Sequence, residues 1–197
     1  MSLELAVDYT ALNAWAGVGT FLLLLASVIA AAISLHHAAS FNQISAVIAM
    51  ERDFRNADMQ EAFRFVQSEL PFKMHSEEFR AELEALGFVD AKVHLEITVC
   101  NWFNTVGTLL KNNLVDENAW MDLFARLVVA YWNRLEEVVA IMRRQRGSSQ
   151  YSNFEYMALR AREWLNKYPA GIFPQHTRRA QLTDKWLEKD RALRTRP

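Results

Sequence analysis

Few side chains in this sequence have the types and spacing that chemistry needs. A general base, nucleophile or metal centre would be drawn from five histidines, one cysteine and 23 acidic residues. His94, Glu96 and Cys100 are of the right types. On a continuous helix, positions i, i+2 and i+6 do not share a face, so the spacing predicts a buried Cys100 rather than a ligand set. His36 and His37 are adjacent, whereas helical ligand pairs stand four apart, so they read as polar residues at a membrane edge. His75 and His176 fall in predicted loops. The carboxylates Glu77-Glu78, Glu82 with Glu84, and Glu136-Glu137 cluster only locally, while catalytic acid pairs converge across a cleft. The sequence carries no nucleophile elbow, phosphate-binding glycine loop, dinucleotide fingerprint or metalloprotease helix. A single cysteine excludes an intramolecular disulfide framework and a Cys-rich zinc site. No catalytic residue, metal ligand or cofactor is therefore assigned.

The remaining candidates are surfaces. Phe41, Ile44 and Ile48 form part of an apolar stripe, with Val47 and Phe54, below a long apolar segment. His94, Thr98, Asn101, Thr105 and Thr108 form a polar stripe on a later helix. Phe41, Ile44, Ile48, Thr98, Asn101 and Thr105 are the candidate partner-binding residues. Arg143, Arg144, Arg146, Arg178 and Arg179 are candidates for anionic lipid. The Arg143–Arg146 group also suits the end of a helix, where cations complement the dipole. Trp102, Phe103, Trp120, Phe124, Tyr131 and Trp132 recur at helical spacing and read as core.

The elements that must position these residues follow from composition. The chain has 197 residues, 51% apolar, with 6 Gly and 4 Pro. That excludes disordered, collagen-like and turn-rich all-β chains. A net charge of −1 argues against nucleic acid as a partner for the chain as a whole. The balance is uneven: residues 51–90 hold 10 acidic and 5 basic side chains, residues 143–197 hold 5 and 13.

No Asp, Glu, Lys or Arg occurs between Asp8 and Glu51. Residues 14–35 are almost all apolar and long enough, at ~1.5 Å per residue, to cross a hydrocarbon core of ~30 Å. A secretory signal would have a basic start and a shorter apolar run, whereas the residues before the run include Glu4 and Asp8. Basic residues follow the run, from Arg52 on, so the positive-inside rule places the C-terminal side in the cytoplasm. The expected organisation is a short tail (1–12), a transmembrane helix (13–37), a helical stalk (38–56), an α-helical soluble domain (57–173) and a basic polar tail (174–197).

Within the soluble part, Asn56 or Asp58 caps a helix that Pro71 stops. Ser76 caps the next, which ends at Gly87. A longer helix starts near Asp90 and ends near Asn112-Asn113. Asp116 caps its successor, and the short joint makes the two an antiparallel hairpin. Ser152 to Glu155 reads as a capping box for a helix ending near Lys167, and Thr183 would cap a last short helix. No segment alternates with period two, so the fold class is all-α, a bundle of about four to five soluble helices.

Asn101-Trp102-Phe103-Asn104, Asn113 to Glu117, Phe124, Tyr131-Trp132 and Tyr151 to Tyr156 give this chain a resemblance to a bacterial single-pass membrane family, domain of unknown function 4760. The resemblance covers roughly residues 46–165. It implies one N-terminal membrane helix followed by a helical domain, and no activity, cofactor or catalytic residue.

The expected function is that of a scaffold or accessory subunit, anchored in the bacterial inner membrane with its N-terminus outside. Its partners would be the lipid bilayer and another membrane protein or a second copy. Two other functions compete. One is a ligand sensor or enzyme with a pocket near His94, Asn101 or Tyr156. The other is a lipid- or nucleic-acid-binding region over residues 143–197.

Overall fold

A computed structural model of the chain describes residues 9–87 and 89–194. The expected tail is therefore only partly visible, and Glu4, Asp8 and Arg196 lie outside the described residues, as do the side chains of His36 and Arg194. Eight helices and no strand occur among the described residues. They are α1 (Tyr9–Phe54), α2 (Ala57–Ser68), α3 (Leu70–Lys73), α4 (Glu77–Glu84), α5 (Leu95–Lys111), α6 (Glu117–Arg146), α7 (Ser152–Lys167) and α8 (Leu187–Arg194).

Helix α1 runs 46 residues without a break. Its stretch Trp15–Leu35 is long and apolar enough to cross a membrane, and none of it is buried by the rest of the chain. The lower end behaves differently. Met50 is buried, and Ala46, Val47 and Phe54 pack against the core. The expected stripe therefore splits: Val47 and Phe54 turn inward, while Phe41, Ile44 and Ile48 stay exposed.

Local rules explain three of the helix starts. Asn56 Oδ1 accepts from the Asp58 amide, Ser76 Oγ from Phe79 and Asp116 Oδ1 from Ala119, each satisfying an otherwise orphan helix donor. Helix α5 closes with Asn113 in the left-handed region (φ 55), the Leu114 amide reaching back to the Leu109 carbonyl and the Asn113 amide to that of Leu110. Pro71 does more than stop a helix. It sits in the first turn of α3, where its missing N–H has no partner to lose.

The structure corrects three expectations. Helix α5 begins at Leu95, not near Asp90, because Asp90 builds a turn: its carboxylate accepts from the Lys92 amide and its carbonyl from Val93 and His94. The capping box at Ser152 does not form. Tyr151 holds the N-cap position at φ 55, and Glu155 turns away to Arg143. Before α8, Asp184 rather than Thr183 makes the local turn, accepting from the Trp186 amide.

Helix α7 lies against both α5 and α6, which approach each other far less closely. Aromatic rings fill the centre. Phe103 stacks on Phe154 at 4.7 Å and meets Phe63 edge-on at 6.0 Å, with Tyr131 at 5.9 Å. Phe54 carries this cluster into α1, 4.9 Å from Phe63. The aromatic core expected from spacing is thus present, with Trp102 and Phe124 at its partly buried edge.

Candidate functional site

His94 is the residue whose setting differs most from expectation. Because α5 starts one residue later, the side chain of His94 is not bound by helix geometry. It folds inward, 2% exposed, between two carboxylates. Nδ1 lies 2.7 Å from Glu96 Oε1, and Nε2 lies 2.8 Å from Glu82 Oε2 on α4. The Phe79 ring covers it at 4.5 Å. Glu96 is fully buried, and its Oε2 has no hydrogen-bond partner among the described residues. Two hydrogen bonds between three such groups need two protons, on the ring or on a carboxyl. Removing either proton sets a ring lone pair against a carboxylate lone pair.

The surroundings decide what this arrangement can do. His94 borders an open cleft of about 320 Å³ with Glu82, Ala85, Val89, Asp90 and Val93. Both ring nitrogens are engaged, so the imidazole offers no free base to the cleft. Cys100 is buried, and burial pushes its thiol well above the ordinary range, which makes it a poor nucleophile. Among the described residues no three His, Cys, Asp or Glu side chains converge as metal ligands. The His94 cluster therefore joins α4 to the start of α5.

Burial also raises the Glu96 carboxyl above its usual value near 4.5, its hydrogen bond to His94 pulling the other way. The folded chain then holds this proton more tightly than the unfolded chain does. The stabilising contribution is complete below the ordinary value and is lost as pH rises through the raised one. Glu96→Gln keeps an acceptor for His94 and removes the buried charge. Its urea midpoint, followed by tryptophan fluorescence, should equal or exceed that of the parent at pH 8 and lose its advantage at pH 4. A variant weakened equally at both values would contradict this role for the carboxyl.

Part of the polar stripe on α5 forms a seam with the start of α7. Asn104 Oδ1 accepts from the Asn153 amide at 3.2 Å, so α5 supplies the cap that Ser152 does not. Asn153 Nδ2 donates to Thr108 Oγ1 at 2.8 Å, and Tyr151 Oη donates to Asn101 Oδ1 at 3.0 Å. Gly107 lets the helices meet: a Cβ there would lie 2.2 Å from the Asn153 carbonyl oxygen. Thr98 is half-buried, and Thr105, exposed, donates back to the Asn101 carbonyl. Tyr156 is half-buried on α7.

Each of the three arginines at the end of α6 has a partner within the protein. Arg143 donates to the Gln150 carbonyl and to Glu155, and Arg144 pairs with Glu84 at 2.9 Å. Arg146 donates to the Leu83 carbonyl at 2.6 Å and to that of Ala85, satisfying the end of α4. No sequence signal distinguishes this arrangement from a lipid-facing patch. Arg178 is exposed, while Arg179 donates to the Ala170 carbonyl and lies over the Phe173 ring.

The face that stays open is on α1. Phe41, Ile44 and Ile48 are 70, 60 and 54% exposed, on the side away from Met50. No curated protein and no solved structure matches the chain. A family model described as a domain of unknown function, DUF4760, matches residues 21–161, from within the apolar part of α1 through most of α7. The chain belongs to that family.

Proposed function

We propose that this protein is a membrane-anchored helical scaffold, an accessory subunit that holds a small domain at the bilayer surface and binds another membrane protein or a second copy. One observation carries this reading. A single helix joins an apolar segment that the chain leaves wholly uncovered to a lower end that is part of the domain core. A removable leader has no need to continue unbroken into the fold, and the family match begins inside the apolar segment, at residue 21. Confinement to a membrane raises the effective concentration of a partner, so modest helix contacts suffice.

The asymmetry of charge favours an outside N-terminus and a cytoplasmic domain in a bacterial inner membrane. Reporters fused to each terminus test this, and activity of a periplasmic reporter at the C-terminus would reverse the orientation. Purification in mild detergent tests the scaffold itself. The protein should leave the column with a retained partner or as more than one copy. A lone monomer, recovered alone from cross-linked membranes as well, would count against it.

A further inference from the structure

We infer that the partner of α1 is a second copy of this chain, packed in parallel along one continuous strip that starts inside the membrane and ends below it. This inference rests on the anchored reading above. Phe41, Ile44 and Ile48 recur at spacings of three and four, the pattern of a helix seam. Carried upward in the same heptad phase, through His37, the strip meets Ser34, Ala30, Ser27, Leu23 and Thr20. All five are exposed along α1. The Thr20 and Ser27 hydroxyls bond back to the carbonyls of Ala16 and Leu23, which leaves a smooth surface. The other side of the span carries Phe21, Leu25, Val28, Ala32 and Leu35, large at four of its five positions.

The strip changes character where its solvent changes. In lipid, large apolar side chains gain nothing from association, and helices pair through small residues and hydroxyls. In water, an apolar seam drives pairing. Within the span four of the five strip residues are small or hydroxylated, Leu23 being the exception, and below it the strip is apolar, so each half has the composition that favours a helix partner in its own medium. A second copy inserted in the same direction makes that change at the same depth by symmetry.

Lipid does not cover the lower half. At ~1.5 Å per residue, Ile44 and Ile48 lie roughly 14 and 20 Å past Leu35, while the headgroup layer is only about 5–8 Å thick. The three side chains expose on the order of 300 Å². That falls short of the ~800 Å² per partner of a stable interface, so the membrane half must contribute. The strip ends at Glu51 and Arg55, an ion pair at 2.6 Å, so two copies meet there without net repulsion.

Disulfide cross-linking of full-length protein in native membranes tests the inference. Ile44→Cys and Ile48→Cys should each give a band of twice the chain mass under mild oxidation. Ala49→Cys, a quarter turn away, should give several-fold less, and the parent, whose Cys100 is buried, none. These positions are exposed, so the substitutions leave the core intact. Equal yields at all three positions, no dimer band, or an adduct of another mass would overturn the second-copy assignment while leaving the anchor standing. Protein found outside the membrane fraction would overturn both.

Discussion

Phe103→Ala will destabilise the domain by about 3–5 kcal/mol, the cost of emptying a fully buried aromatic site whose neighbours cannot close the gap. The size of the effect follows from position. Phe103 is wholly buried, and its ring meets those of Phe63, Phe154, Tyr131 and Trp102, which belong to α2, α5, α6 and α7. Cys100 offers the readout. It lies one turn away on α5, buried and held as a thiol by its surroundings, so alkylation waits for the domain to open. The variant should react much faster than the parent under native conditions and unfold at lower urea. Unchanged reactivity and an unchanged midpoint would mean that the ring cluster does not organise the core.

Gly107→Ala acts at a different kind of contact. In a free helix, alanine would be the better residue by about 1 kcal/mol. Here the added methyl would stand 2.2 Å from the carbonyl oxygen of Asn153 and 2.7 Å from its carbon, which are backbone atoms and cannot swing aside. Helix α7 must move, and with it go the Asn104 cap on the Asn153 amide and the Asn153 bond to Thr108. A loss of about 2–4 kcal/mol is expected from overpacking together with broken, partly buried hydrogen bonds. Thermal melting of the detergent-solubilised protein checks it. A variant as stable as the parent, or more so, would show that α5 and α7 are not in close contact at this glycine.

The sequence was informative where a local rule decides the outcome. The absence of charge between Asp8 and Glu51 marked the long apolar helix. Ser76 and Asp116 were recognisable caps because the cap bond spans only three residues. Aromatic periodicity found the core because those rings face one way along a helix. Readings fell short where contacts outside the helix being read decided the outcome. His94 was set aside by helical spacing, yet the Asp90 turn delays α5, and a residue ahead of a helix is free to turn inward. Ser152 looked like a cap, but α5 supplies Asn104 for the purpose. The arginines at the end of α6, candidates for lipid, also bond Gln150, Glu155 and the end of α4, partners that only the fold brings near. Gly107 carried a faint signal: glycine in mid-helix beside Asn104 and Thr108 asks for a packing reason. Splitting the α1 stripe into an inward and an outward side required the neighbours, since every residue in it is apolar.

Everything proposed for this protein depends on residues 15–35 lying in lipid as part of the working chain. Alkaline carbonate extraction of cell membranes, followed by intact-mass measurement of the extracted polypeptide, tests that most directly. The protein should stay in the pellet until detergent is added, with a mass that includes the apolar segment. Release into the carbonate supernatant, or a mass showing that the mature chain begins after Leu35, would contradict the account.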